Sequence, residues 1–236
     1  MFTYGFKHGI KHSFAYMNNE PIDNFVKNAF FSSWEEDTFN IFDQVKDING
    51  IAIDIGAWIG TTSMWLSHNF KNVIAIEADK ESLKYLKLNL LESKCNNVFI
   101  YEQPIGKSNK KVYFGPRGSL LNESMSHIKN SKTNIHDIEI DSITFNDLKI
   151  PENSYIKFIK CDIEGGEEDI VEELLNFSIK NNSQVWLSFH LDWWTDKNLQ
   201  RFENIFKNFN TNVSNPIDYI YKNPFGSILF TPINCS

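Results

Sequence analysis

Ile51-Ala-Ile-Asp54-Ile-Gly56-Ala-Trp-Ile-Gly60, followed by Val73-Ile-Ala-Ile-Glu77, decides the fold. An apolar, β-branched run reaching Asp54 reads as a buried parallel strand, and the two glycines after it read as a tight turn into a helix. A second apolar run, Val73 to Ile76, closes on the acid Glu77, and a helix begins directly after Asp79. A carboxylate at the tip of the second strand is where the ribose hydroxyls of a nucleoside lie, because it accepts both hydrogen bonds.

Glycine spacing separates the candidate nucleosides. A dinucleotide fingerprint needs Gly-x-Gly-x-x-Gly, whose second glycine lets the backbone approach a pyrophosphate. Here two glycines stand four apart, with Asp54 two residues before the first, and no phosphate seat is evident. S-adenosylmethionine (SAM) has no phosphate and carries a sulfonium and an ammonium, which makes Asp54 a useful neighbour. SAM is therefore expected over NAD. An NAD-linked oxidoreductase, a non-catalytic SAM- or sugar-binding protein, and a flavodoxin-like sheet with no ligand at this turn remain open alternatives.

The composition is that of a folded protein: 236 residues, 42% hydrophobic, 14% aromatic and 22% charged. A single domain over 1–236 is expected, with an arm and helices over 1–48 and a βα core over 49–236 carrying an insertion at about 104–150. The formal charge of -7 opposes a nucleic-acid backbone as the main partner, although a local basic patch would escape this argument. Cys95, Cys161 and Cys235 form no C-x-x-C pair and no disulfide framework. With no signal-like start and no apolar run long enough for a membrane span, a cytoplasmic location is expected.

Residues 1 to 20 read as an irregular arm or a short hairpin. Ile22, Phe25, Val26, Ala29 and Phe30 fall at helical spacing behind Pro21, and Ser33 with Glu36 reads as a capping box for a second helix striped by Phe39, Phe42 and Val45. Helices are expected at 61–69 and at 80–92, the latter capped by Asp79, with strands at 72–77 and 97–102. The βα rhythm then lapses. Short strands at 111–114 and 138–140 flank a turn at 115–118 and a polar loop at 122–134, a lid or equally a surface loop. Strands at 156–161 and 184–189 bracket a helix with Ile170, Val171, Leu174 and Leu175 inward. Thr195 is expected to cap a last helix carrying Leu199, Phe202, Ile205, Phe206 and Phe209, and strands near 219–221 and 227–230 to form a closing hairpin.

In a doubly wound sheet, ligands sit at the carboxyl ends of the strands. By this reading Asp54, Glu77, Gln103, Asp162 and His190 all lie at such ends. Asp162 and Glu164 precede a helix and face the cleft, where a carboxylate in reach could accept the proton of an acceptor hydroxyl. Glu167 and Glu168 are explained by the preference of acids for helix N-termini. His190 is a candidate for catalysis or metal binding, or a satisfied core residue. Asp162, Glu164, His190 and Asp192 together would suit a divalent cation of the magnesium or manganese type, and the sequence leaves metal against metal-free base undecided. Trp193 and Trp194 either stack on a sugar or close the core. Trp58 either covers the cofactor or packs against the first helices. His8, His12, His127 and His136 fall in expected loops and receive no role.

Trp34-Glu35-Glu36-Asp37-Thr38, Ile53-Asp54-Ile55-Gly56-Ala57-Trp58-Ile59-Gly60, Ile76-Glu77-Ala78-Asp79 and above all Phe158-Ile159-Lys160-Cys161-Asp162-Ile163-Glu164-Gly165-Gly166-Glu167 resemble the FkbM family of SAM-dependent methyltransferases over about residues 30 to 192. Two departures stand out: Trp58 where the family usually has Asn, and Gly166 where Ala is usual. The resemblance implies a class I, Rossmann-like fold: a doubly wound, mostly parallel seven-stranded sheet with N-terminal helices and a C-terminal antiparallel hairpin. It also implies O-methylation of a hydroxyl, commonly on a sugar of a glycan or glycosylated small molecule. Carried over by position, Asp54, Gly56, Gly60 and Glu77 would bind SAM, and the full expected cofactor set is Glu35, Asp54, Gly56, Ala57, Trp58, Gly60, Glu77, Ala78, Gln103 and Asp162. Asp162 and Glu164 would lie at the reaction centre, and His190, from its strand-end position, is expected to join them as a catalytic residue.

Overall fold

The computed structural model describes residues 2–15, 20–116, 126–129, 131–133 and 135–233. The arm is a hairpin: β1 (Phe2–Lys7) pairs antiparallel with β2 (Ile10–Ala15) across His8 and Gly9, both at positive φ (45° and 77°), as a two-residue turn requires. Asn89, fully buried, ties it to the core by accepting from Ala15 N–H at 2.7 Å and donating to Ile59 O at 2.8 Å.

α1 (Glu20–Phe25) runs into one π-helical turn, Val26–Phe30, and after the turn at 31–35 comes α2 (Glu36–Val45). The expected Ser33 capping box does not form. Glu35 is the N-cap residue, at φ 47° with no side-chain cap bond. Glu36 instead pairs with Lys7 and with His8 Nε2 (3.0 Å), a partnership across the fold that outweighs the local one. The stripe of Phe39, Phe42 and Val45 is buried as expected.

β3 (Asp47–Ile55), α3 (Thr61–Asn69), β4 (Phe70–Ile76), α4 (Lys80–Glu92) and β5 (Val98–Tyr101) form two successive parallel βα units, and Asp79 caps α4 by accepting from Glu81 and Ser82 N–H. In the insertion, β6 (Lys111–Pro116) lies between β7 (Ser126–Lys129) and β8 (Ile138–Asp141) in a small antiparallel sheet. The sequence reading has no strand at β7. Much of the expected turn at 115–118 and loop at 122–134 lies outside the described residues.

β9 (Ile156–Cys161), α5 (Glu167–Asn181) and β10 (Gln184–Ser188) follow as expected. The last helix does not. Asn198, not Thr195, caps a 3-10 turn at Leu199–Phe202, which leads into the short α6 (Glu203–Phe206), and Phe209 begins a strand, β11 (Phe209–Thr211). Residues 219–221 are helical within α7 (Pro216–Lys222), because Asn215 caps it and Pro216 sits at its first turn. β12 (Ser227–Pro232) then closes the chain, antiparallel to both β10 and β11.

Among the described residues the large sheet has seven strands in the order β11-β12-β10-β9-β3-β4-β5. β9, β3, β4, β5 and β10 are parallel, so the winding reverses between β3 and β9 and opens a crevice at their carboxyl ends. Alternate residues feed two cores. Ile51, Ile53, Ile55, Ile159 and Cys161 pack toward α5, while Ala52 and Phe158 pack toward α2, α3 and α4. No helix among the described residues is long and apolar enough to cross a membrane.

Candidate active site

The crevice holds a cavity of about 360 Å³, within the range of small-molecule sites, lined from the ends of β3, β4 and β9. Phe25 of α1 and Trp34 of the turn before α2 wall it on one side, and Phe114 and Ile128 wall it from the inserted sheet. Its polar lining is acidic: Glu35, Glu77, Asp79, Asp162 and Glu164 face it, with Lys160 as the cation among the described residues.

Gly56 brings the strand ends together. Its φ is +80°, and a Cβ there would stand 1.9 Å from the carbonyl oxygen of Asp162, so no other side chain fits this approach. Trp58 follows in the left-handed region (φ 48°), where its backbone N–H donates to Glu77 Oε2 at 2.8 Å. Asp79 N–H donates to the other Glu77 oxygen at 2.7 Å. Burial pushes the Glu77 carboxyl up to about 7 despite these two donors. The Trp58 ring lies 5.4 Å from that of Phe25 and lines the cavity, so it both packs on α1 and covers the crevice.

Asp54 and Lys160 are register partners on β3 and β9. Asp54 is fully buried and turned away from the cavity. It accepts from Thr62 Oγ1 at 2.8 Å and Ser63 Oγ at 2.5 Å, and stands 3.4 Å from Lys160 Nζ. Lys160 donates to Gly56 O at 2.8 Å, so one ammonium clamps the glycine turn to the strand beside it. Burial would lower its pKa, but the charges of Asp54, Asp162 and Glu35 outweigh burial and raise it. Glu35 reaches the cavity from its left-handed position. Burial, reinforced by the charge of Asp162, pushes its carboxyl up to about 7.

Beyond β9, Glu164 stands at φ 57° and Gly165 at φ 95°, a left-handed turn that aims Glu164 into the cavity. Glu167 holds the turn: it is fully buried and accepts from Ile163 N–H and Gly165 N–H, both at 2.9 Å. The same carboxylate meets His190 Nδ1 at 3.0 Å and Trp194 Nε1 at 3.4 Å. Its assignment to helix-end preference is thus too small a role. His190 Nε2 faces Glu164 Oε2 at 3.4 Å and Asp162 Oδ1 at 3.6 Å, and its ring stacks on Trp193 at 5.0 Å. Burial would lower the imidazole pKa, but the hydrogen bond to Glu167 and the surrounding acids raise it to about 9. Burial and the charge of Asp162 push the Glu164 carboxyl up to about 7.

Of the expected residues, Glu35, Gly56, Trp58, Glu77, Ala78, Asp162 and Glu164 line the cavity, with His190 directly behind the last two. Asp54, Ala57 and Gly60 do not line it. Ala57 is buried with its N–H on Ile76 O, and Gly60 starts α3 at φ 93°. Gln103 does not line the cavity either. It is exposed in a separate shallow depression beside Tyr101 and Glu102, because β5 ends early and Pro104 and Ile105 form the wall instead. Asp192 is also misplaced: it is exposed and pairs with Lys197 at 3.1 Å. Lys160 was missed, although its place opposite Asp54 follows from aligning the two strand ends.

The methyltransferase FkbM domain model matches residues 54–211. The chain belongs to the FkbM family of SAM-dependent methyltransferases. Among solved structures, this FkbM chain is similar to the methyltransferase FkbM of Methylobacillus flagellatus KT (16% identity, TM-score 0.50, covering 78% of this chain and 43% of that one). It is also similar to SMU.1697c, a putative methyltransferase of Streptococcus mutans in complex with SAH (15% identity, TM-score 0.51, covering 84% and 97%). At these identities the likeness is one of fold, a class I methyltransferase fold. A curated relative, the uncharacterized RNA methyltransferase NEQ053 of Nanoarchaeum equitans, is 28% identical over 111 residues, 43% of this chain and 25% of the relative. The chain thus spans about a quarter of that protein's length.

Proposed function

We propose that this FkbM chain, working as one domain, transfers the methyl group of SAM to a hydroxyl of a carbohydrate or another small acceptor. The observation that carries this is a cavity onto which the ribose-type carboxylate Glu77 and the carboxylates of Asp162 and Glu164, backed by His190, all open. The acidic lining suits a ligand bearing a sulfonium and an ammonium. Each Glu77 oxygen already takes one backbone N–H, and the remaining lone pairs are available for two ribose hydroxyls. When bound, SAM supplies an electrophilic methyl carbon.

The residues of the chain then have three tasks. The glycine turn and Lys160 hold the strand ends in fixed register, the aromatic and apolar walls exclude water, and Asp162 and Glu164 take the hydrogen of an incoming hydroxyl. As the oxygen–methyl bond forms and the methyl–sulfur bond breaks, the hydroxyl proton passes to carboxylate or solvent. Most of the rate gain comes from holding oxygen, carbon and sulfur in line. His190, bonded to Glu167 through Nδ1, orients the carboxylates and is not the base.

Transfer of radiolabelled methyl from SAM tests the proposal, with free glycosides and nucleotide sugars in one arm and unmodified RNA in the other. Label on a sugar hydroxyl is expected, and the charge of -7 supports that arm over the nucleic acid. Label in RNA alone, or SAM binding with no transfer to any acceptor, would refute it.

A further inference from the structure

Asp162, Glu164 and His190 offer one ligand atom each, all within 4.8 Å of one another. A third carboxylate, Glu167, lies behind them and fixes which imidazole nitrogen is available. Glu167 is an acceptor on every side, taking Ile163 and Gly165 N–H at 2.9 Å, so its 3.0 Å contact places a proton on His190 Nδ1. His190 is only 9% exposed, and its Nε2 points into the cluster. Nε2 makes no hydrogen bond there: the nearest oxygens, at 3.4 and 3.6 Å, lie well beyond the roughly 2.7–2.9 Å of a charge-assisted bond. Asp162 Oδ1 is shut off from solvent and has no hydrogen-bond partner.

Spacings of this size are those of ligands around an ion. Donors about 2.1 Å from an octahedral cation stand about 3.0 Å apart when adjacent and about 4.2 Å apart when opposite, and the 3.4 and 3.6 Å spacings at His190 Nε2 fall between the two. The Glu167–His190 pair supplies the outer contact that metal-bound histidines show, a carboxylate on the far ring nitrogen that fixes tautomer and orientation. The strained turn at Glu164 and Gly165 then has a purpose, since it swings Glu164 toward the His190 Nε2 side.

We propose that Asp162, Glu164 and His190 bind one divalent cation of the manganese or magnesium class, with Glu167 as the residue that positions His190. The site rests on the methyltransferase reading only for its role: the cation would hold the acceptor oxygen beside the cofactor pocket and ease loss of its proton to solvent as the oxygen–methyl bond forms.

The test uses the full chain after treatment with a chelator. Free Mn²⁺ is followed by electron paramagnetic resonance during titration, and magnesium is added as a competitor. One Mn²⁺ per chain is expected, displaced by Mg²⁺. Asp162→Asn and His190→Gln should each weaken binding at least as much as Glu167→Gln, for which about 10- to 100-fold is expected. Circular dichroism and thermal melts establish that the variants are folded. Saturation only in the millimolar range, or equal binding by wild type and a folded His190→Gln, would overturn the site. Calorimetry of SAM binding with and without chelator separates the two ideas: intact SAM binding and metal-free methyl transfer remove the cation and leave the methyltransferase standing.

Discussion

Glu77→Gln changes one atom type and no volume, and its effect can be worked through. In the free protein the Glu77 carboxyl titrates at about 7 because burial disfavours its charge. Ribose hydroxyls donate to an acceptor, so a bound nucleoside prefers the ionised form. The ionised fraction rises from about one in eleven at pH 6 to about ten in eleven at pH 8, so SAM affinity should rise about tenfold over that span. Stability runs the other way. A carboxyl whose folded pKa is raised from 4.5 stabilises the ligand-free fold below 4.5, and that contribution is lost as pH climbs through about 7. Glutamine would remove the charge and turn an amide toward Trp58 N–H or Asp79 N–H, at 2.8 and 2.7 Å in the wild type. Loss of one hydrogen bond to a charged group costs roughly 1.5–3 kcal/mol, or about 10- to 150-fold in affinity at pH 8. Calorimetry at pH 6, 7 and 8 reads both effects. A wild-type dissociation constant that is flat across this range, or a Glu77→Gln protein retaining affinity and slope, would refute the reasoning.

Gly56→Ala and Gly9→Ala form a matched pair, at φ +80° and +77°, but only the first forces a Cβ to within 1.9 Å of a carbonyl oxygen. Urea unfolding should show a cost of about 1–2 kcal/mol at Gly9 and at least about 1–3 kcal/mol more at Gly56. Lys160→Met leaves the fully buried Asp54 without its cation and should destabilise the chain by about 3–5 kcal/mol in the same assay, with Asp54→Asn added in the double variant recovering part of the loss. Phe42→Ala removes a fully buried ring packed 5.5 Å from Trp65 and 5.3 Å from Phe158 and should cost about 3–5 kcal/mol while sparing SAM affinity per folded molecule.

What the sequence made legible was whatever depends on short-range pattern. The apolar runs of β3, β4 and β9 give the parallel core, and the Asp79 cap gives α4 with its start and end. Patterns settled by distant partners were not legible. Glu36 belongs to Lys7 and His8, not to Ser33, and this leaves Glu35 left-handed at the cavity edge. Phe209 continues a helical stripe in sequence but is drawn into a strand by pairing with Pro232. Tyr219-Ile-Tyr221 favours a strand by composition, yet the Asn215 cap and Pro216, a local signal just upstream of it, turn it helical. At the site, strand-end acids pointed to the right crevice. The inward turn of Asp54 and the four contacts of Glu167 depend on the strand register and the left-handed turn after β9.

A crystal structure of the chain with S-adenosylhomocysteine tests the central claim most directly. The account predicts both ribose hydroxyls on the Glu77 carboxylate and the sulfur turned toward Asp162 and Glu164. Density for the ligand in any other depression, or in this cavity with its sulfur directed away from those two carboxylates, would contradict it.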